Sequence, residues 1–155
     1  MSNPFTNHLV ESPADERLQK LAFDLMERRN EGVIVPRVIV SHGNWRPSQN
    51  RCHHNVTELA EREPSVKPIH GWLHFDFTGL AASILCPEPW IEFLGHSVIE
   101  RVGGRLEDIT PVYSADSQNY PFIRHGGDEA DYAAIIDGYP LSRIRIYSSR
   151  IVYCA

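Results

Sequence analysis

The segment from Trp90 to Val102 constrains the fold more than any other part of this chain of 155 residues. It alternates through β-favouring residues and carries apolar side chains on both faces, which predicts a strand. Because a strand of this kind must be covered on both sides, we expect it at the centre of a sheet. Gly103-Gly104 then predicts a hairpin turn, and 105–110 is expected to return as an antiparallel strand.

Helical periodicity comes before this strand. Apolar residues recur at helical spacing after Ser12-Pro13, which predicts a helix that Ser12 caps and Gly32 stops. A second helix is predicted from Cys52 to about Arg62, and a short one over 128–137. A strand is expected at 69–78, an edge strand or a bend at 33–40 because of Pro36, and one more strand or hairpin at 143–153, with loops at 41–51 and 111–127. Helices followed by a mostly antiparallel sheet indicate an α+β fold.

Length and composition point to one domain over residues 1–155, with 1–11 as an irregular arm. The hydrophobic content of 42% excludes a disordered chain, and no apolar run is long enough for a membrane span. A net charge of −5 with interspersed signs argues against binding to nucleic acid. Three distant cysteines and the lack of a signal-peptide pattern predict a reducing, cytoplasmic location.

Three residues have the chemistry of an activated thiol. Cys52 falls at a predicted helix start, where free N–H groups and the helix dipole favour a thiolate. His96 lies in the central strand and can accept the thiol proton. Asp108 lies in the next strand, across the glycine turn, and can orient the imidazole. The sequence therefore predicts a Cys-His-Asp triad.

The length of the hairpin loop decides which acid faces His96. A two-residue loop at Gly103-Gly104 places Glu107 on the face of His96, because side chains alternate along a strand. A three-residue loop or a glycine bulge places Asp108 there instead. Two glycines permit the bulge, so we select Asp108 and keep Glu107 as the alternative.

These fragments resemble a known superfamily in their order. Cys52-His53-His54-Asn55-Val56 opens a helix, Gly71-Trp72 lies in a strand, and His96-Ser97-Val98 and Asp108-Ile109-Thr110-Pro111 follow. This order resembles the papain-like cysteine enzymes, and more narrowly their transglutaminase-core branch. The resemblance covers 50–111 and implies a catalytic core there, with the Cys helix packed on an antiparallel sheet. It differs in one respect, because the branch places an aromatic residue soon after the histidine.

The resemblance implies an enzyme that acts on an amide, peptide or thioester bond through an acyl-enzyme: a peptidase, deamidase or acyl transferase. Its substrate would be a peptide, a protein or a small amide, and no cofactor is expected. Cys52 would attack the acyl carbon, His96 would transfer protons and Asp108 would hold the imidazole. For the oxyanion we expect the Cys52 N–H together with a side chain from the preceding loop, Gln49 before Asn44. Asn55, one turn after Cys52, would position the helix or the substrate.

Two other functions use the same residues. A non-catalytic binding or adaptor protein would result if the three groups do not converge or if Cys52 is buried. A metal protein could use histidines and cysteines, since the chain has eight histidines. However, the paired short spacings of zinc sites are missing, and His70 and His74 would lie about 13 Å apart along a strand. We therefore predict no metal site.

Overall fold

The computed structural model describes residues 10–80, 88–112, 119–138 and 143–154. Cys86 and nearly all of the predicted N-terminal arm lie outside these residues. The described chain contains three α-helices and one antiparallel sheet of eight strands, an α+β fold.

The strands do not follow one another across the sheet in chain order. Seven strands form the path β1-β8-β7-β4-β3-β6-β2, and β5 pairs separately with β4. All pairs between these strands are antiparallel. The elements are β1 (Glu11–Pro13), α1 (Glu16–Glu27), β2 (Val33–Ile34), α2 (Cys52–Arg62), β3 (Lys67–Asp76), β4 (Ile91–Glu100), β5 (Leu106–Glu107), β6 (Pro121–Arg124), α3 (Glu129–Gly138), β7 (Arg143–Ile146) and β8 (Ile151–Cys154).

Strand β4 is central, as its two apolar faces predict. It pairs along its whole length with β3, so that Gly71 lies opposite His96 and His70 opposite Ser97. Its other edge pairs with β7 at 91–94 and with β5 at 99–100. Between these two ladders, no described strand pairs with residues 95–98 on that edge.

The three helices cover one face of the sheet. Helices α1 and α3 pack on Trp72 and Phe93, and Tyr132 and Ile135 anchor α3 in this core, as its apolar residues predict. Helix α2 packs through Val56 and Leu59, with Ile99 and Ile109, in a second cluster. Burial of these large side chains supplies the main driving force for assembly of the layers. The opposite face carries a smaller cluster formed by Val35, Val98 and Phe122.

The start of the first helix differs from the prediction. Residues 11–13 form strand β1 against β8 instead of a helical cap. The side chain of Asp15 caps α1, because its carboxylate accepts a hydrogen bond from the Leu18 N–H at 2.9 Å. Both Ser12 and Asp15 are residue types that cap helices. Because residues 11–13 pair with β8, the helix begins later and Asp15 is the cap.

Three other predictions of strands and loops need correction. Only Val33–Ile34 of the predicted 33–40 strand is regular, and only Leu106–Glu107 of the predicted 105–110 strand. The remainder of both segments meets in a single parallel bridge between Arg37 and Asp108. The predicted loop at 111–127 contains strand β6, whose four residues begin with a proline and end with an arginine. A segment this short has too little alternation to be recognised.

The hairpin after β4 has three residues in its loop. Ile99 pairs with Glu107 and Glu100 with Leu106, so the register centres on Gly103. Both glycines have a positive φ, 94° at Gly103 and 85° at Gly104, a backbone conformation that residues with a side chain rarely adopt. This register places Asp108 on the face of His96, and Glu107 on the opposite face.

Glycine is required at position 71, where β3 pairs with β6. A Cβ at this position would overlap the backbone carbonyl oxygen of Ile123 and the ring of Phe122. We expect Gly71→Ala to lower the free energy of unfolding by about 1–3 kcal/mol, because both neighbours are held in the core. Thermal unfolding followed by circular dichroism measures this effect. Gly79→Ala is the matched control, since no atom lies within 4 Å of its Cβ; equal stability of the two variants would contradict the steric argument.

Candidate active site

Cys52 is the first residue of α2, as predicted, and the N-terminus of this helix has no side-chain cap. The residue before it, Arg51, makes no side-chain capping hydrogen bond. The backbone N–H groups of the first turn therefore have no side-chain cap, and the positive end of the helix dipole lies at the thiol. The side chain of Cys52 is half-buried. A thiolate at this position is stabilised by the helix without being sealed from solvent.

His96 and Asp108 form a close pair. The distance from His96 Nε2 to Asp108 Oδ2 is 2.8 Å, and the exposed fractions of the two side chains are only 12% and 11%. Cys52 acts on the same ring, because its interaction with the imidazole helps to raise the pKa of His96. The structure thus brings together the three residues that the sequence predicts as a triad.

Asp108 is held by four hydrogen bonds. Its backbone N–H donates to the Pro36 carbonyl, and its own carbonyl accepts from the Val38 N–H, both at 2.9 Å. Its Oδ1 accepts from the Thr110 N–H at 3.0 Å, while Oδ2 contacts His96. Because both carboxylate oxygens are engaged, the side chain has one orientation. This bond to Thr110 gives the Asp-x-Thr spacing a structural role.

The pKa values of Cys52 and His96 move in opposite directions. Burial alone raises the pKa of Cys52, but hydrogen bonds with His53 and His96 and their charges lower it to about 6. Burial alone lowers the pKa of His96, but its bonds to Asp108 and Cys52 and their charges raise it to about 9. The cysteine is therefore a thiolate, and the histidine an imidazolium, between these two values.

Asn55 and Gln49, predicted for positioning and for the oxyanion, make contacts with the loops beside α2. Asn55 is buried and clamps the preceding loop: its Oδ1 accepts from the Ser48 N–H, and its Nδ2 donates to the Ser48 carbonyl and to Thr110 Oγ1. Its amide is therefore committed to positioning the helix, the first of the two roles predicted for it. Gln49 is exposed, and its Nε2 lies 3.5 Å from the Val112 carbonyl oxygen. No side chain for the oxyanion is supported by these contacts.

Glu107, the alternative acid, belongs to a separate ion-pair group. It is buried on the opposite face from His96 and pairs with Arg101 at 2.9 Å and with Arg105 at 2.7 Å. Arg101 also bonds Glu63, the residue that ends α2. This carboxylate braces the hairpin and does not orient His96.

A second group of histidines beside the thiol was not recognised in the sequence. His53 and His70 both contact the buried hydroxyl of Ser97, and Tyr132 packs against both rings. The high histidine count and the His53-His54 pair next to Cys52 were the available signals. Neither shows which rings meet, because Ser97 and His70 reach His53 only through the register of β3 and β4.

The described residues contain no group of three or more histidine, cysteine, aspartate or glutamate side chains that could hold a metal ion. In the same part of the chain, no helix has the length and apolar character needed to cross a bilayer. Comparisons with protein-family models, with curated proteins and with solved structures find no match for this chain. Its resemblance to papain-like enzymes therefore stays a prediction from its residues.

Alkylation tests the state of the thiol directly. We expect iodoacetamide to modify Cys52 with a half-maximal rate near pH 6, because only the thiolate reacts and the pKa of Cys52 is lowered to about 6. Cys154 should react slowly at this pH, since it is fully buried and burial raises its pKa. Peptide mapping by mass spectrometry across pH distinguishes the two cysteines. A midpoint for Cys52 at the ordinary thiol value would contradict the geometry.

Proposed function

We propose that this protein is a cysteine-dependent enzyme that acts on an amide, peptide or thioester bond through an acyl-enzyme. The observation that carries the proposal is the His96–Asp108 contact of 2.8 Å, on an imidazole whose pKa is also raised by the Cys52 thiol. The open start of α2 adds backbone donors at the sulfur. A nucleophile, a base and an orienting acid with these contacts satisfy the requirements of covalent catalysis.

The first half of the reaction forms the acyl-enzyme. The Cys52 thiolate attacks the acyl carbon, a C–S bond forms, and the carbonyl oxygen becomes an oxyanion beside the Cys52 N–H. The intermediate then collapses and the bond to the leaving group breaks. His96, already an imidazolium, donates its proton to a departing amine. Asp108 keeps the ring in place and stabilises its charge during these steps.

The second half releases the acyl group. Neutral His96 accepts a proton from water, or from an acceptor amine, as that nucleophile attacks the thioester carbon. The C–S bond breaks, and the thiolate and imidazolium are restored. Because the same base serves either nucleophile, the residues of the triad support hydrolysis and transfer alike.

Trapping of an acyl group tests the covalent step. We expect 4-nitrophenyl acetate to acetylate Cys52 in preference to Cys154, because only Cys52 lies at an accessible ion pair. His96→Ala should slow turnover of this ester by about 10²–10⁴-fold, the usual contribution of a general base. Peptide mapping locates the acetyl group, and nitrophenol release measures turnover. Equal turnover by wild type and His96→Ala would contradict the proposal.

Asp108→Asn tests the orienting acid. Replacing the carboxylate by a neutral amide removes the charge that raises the pKa of His96, so we expect that pKa to fall below about 9. With an amide substrate, the alkaline limb of the rate profile should move to lower pH with it. NMR titration of the His96 ring, assigned with His96→Ala, measures the change. Glu107→Gln is the matched control. If this variant changed the pKa of His96 and Asp108→Asn did not, Glu107 and not Asp108 would be the orienting acid.

A further inference from the structure

His53, the residue next to Cys52 on α2, belongs to a hydrogen-bonded chain. The Ser97 Oγ lies 2.6 Å from Nδ1 of His53 and 2.6 Å from Nδ1 of His70. Ser97 has no exposed surface, so water does not compete for these bonds. The interaction of Cys52 with His53, as well as with His96, lowers the pKa of the thiol.

The valence of the hydroxyl limits how the chain is protonated. A serine hydroxyl has one proton to donate and two lone pairs, and each neutral imidazole has one nitrogen with hydrogen and one without. Ser97 can therefore donate to only one of the two rings, and a relay through it requires that the other ring donates to it. Because Ser97 engages Nδ1 of His53, Nε2 is the nitrogen left to accept a proton.

Tyr132 holds both rings in this arrangement. Its ring stacks on His70 at a centroid distance of 5.0 Å and meets the ring of His53 edge-on at 5.7 Å. Its hydroxyl donates to the Gly71 carbonyl oxygen at 2.9 Å. The far nitrogen of His70, Nε2, lies 3.8 Å from Oε1 of Glu129, whose side chain is 84% exposed. The chain thus begins at the thiol and ends at the protein surface.

We infer that His53 is a second proton acceptor for the Cys52 thiol, that Ser97 is its positioning residue, and that His70 connects it to solvent at Glu129. This inference deepens the proposed function and rests on it, since it concerns how the nucleophile of that reaction becomes ionised. The geometry distinguishes it from the His96–Asp108 pair: His53 and Ser97 lie on the helix-covered face of the sheet, and His96 points to the other.

The proton balance closes along this chain. At the start, His53 Nδ1–H donates to Ser97, the Ser97 hydroxyl donates to His70 Nδ1, and His70 Nε2–H points toward Glu129. The thiol S–H bond breaks and His53 Nε2 takes the proton, while its Nδ1 proton passes to Ser97. Ser97 passes its own proton to His70 Nδ1, and His70 releases its Nε2 proton to the Glu129 carboxylate or to water. The result is one thiolate, with each imidazole neutral in its other tautomer.

A second acceptor is needed because His96 is already charged. The pKa of His96 is about 9 and that of Cys52 about 6, so His96 holds a proton throughout the range in which the thiol ionises. An imidazolium cannot take another proton. His53 is the other imidazole whose interaction lowers the pKa of Cys52. Burial lowers the pKa of His70, which favours the neutral ring that can relay a proton.

Several titratable groups surround this chain and enter its pH dependence. Cys52 lies on the same helix as His53, and His96 contacts the sulfur from β4. His70 faces His53 from β3, and Tyr132 faces it from α3. Glu129 and His125 act on His70. The pKa of Cys52 and the pKa of His70 are both lowered, so both groups are expected to affect the acid limb of thiol reactivity.

The test is the pH profile of Cys52 alkylation by iodoacetamide in the full chain. We expect His53→Ala to raise the midpoint by about one unit, which lowers the rate near pH 5 about tenfold. Ser97→Ala should raise it in the same direction, and Ser97→Thr, which keeps the hydroxyl, should restore it. His70→Gln provides a second break in the chain should Ser97→Ala fail to fold. An unchanged midpoint in His53→Ala would overturn the inference.

His54→Ala is the matched control. His54 follows His53 on the same helix, but it is exposed and contacts Glu58 at 3.3 Å. We expect its removal to leave the midpoint unchanged; a shift equal to that of His53→Ala would show a general charge effect and overturn the inference. Long-range nitrogen NMR spectra should show one tautomer of His53 in wild type and a mixture in Ser97→Ala. A mixture already in wild type would contradict the positioning role.

The outcome is separable from that of the proposed function, because alkylation needs no acyl transfer. A midpoint that depends on His53 and Ser97, in a protein that 4-nitrophenyl acetate does not acetylate, supports the chain and contradicts the enzyme. Normal acetylation with a midpoint that His53→Ala does not move supports the enzyme and contradicts the chain.

Discussion

The site depends on an interruption in the pairing of the central strand. Strand β4 pairs with β3 along one whole edge. On its other edge, the pairing with β7 ends at Leu94 and the pairing with β5 begins at Ile99. Helix α2 packs against β4, and its first two residues act on side chains from opposite faces of that strand: Cys52 interacts with His96, and His53 Nδ1 lies 2.6 Å from Ser97 Oγ. A continuous ladder at 95–98 would place another backbone in the way of these contacts. The unpaired stretch of β4 therefore allows His96 and His53 to act on the same sulfur.

Much of this arrangement can be predicted from sequence because its parts are local. A cysteine at a helix start and a histidine in a strand with two apolar faces are visible in their own segments. The choice between Asp108 and Glu107 depends on a single residue of loop length, and the glycine pair admits both registers. Parity reduces the question to two outcomes, and the observed pairing of Ile99 with Glu107 corresponds to the three-residue loop.

Other parts depend on contacts between distant segments and leave no local pattern. Asn55 was predicted to position the helix or the substrate because it lies one turn after Cys52, and its actual partners, Ser48 and Thr110, lie in other segments of the chain. Strand β6 is defined by partners on either side more than by its own four residues. The link from Ser97 to two histidines likewise requires the register of β3 with β4 and the packing of α2. Such groupings follow from assembly, and composition indicates only that many histidines are present.

The helix that carries the thiol is fastened at both ends to the segment that carries the acid. Near its start, Asn55 bonds Thr110, two residues after Asp108; at its end, Glu63 bonds Arg101, which also bonds Glu107. Fraying of either end alone leaves the other attachment in place. Separation of sulfur and carboxylate therefore requires the helix and the hairpin to open together, as one cooperative unit. In native-state hydrogen exchange, such a unit has a single opening free energy, shared by amides of the helix and amides of the hairpin.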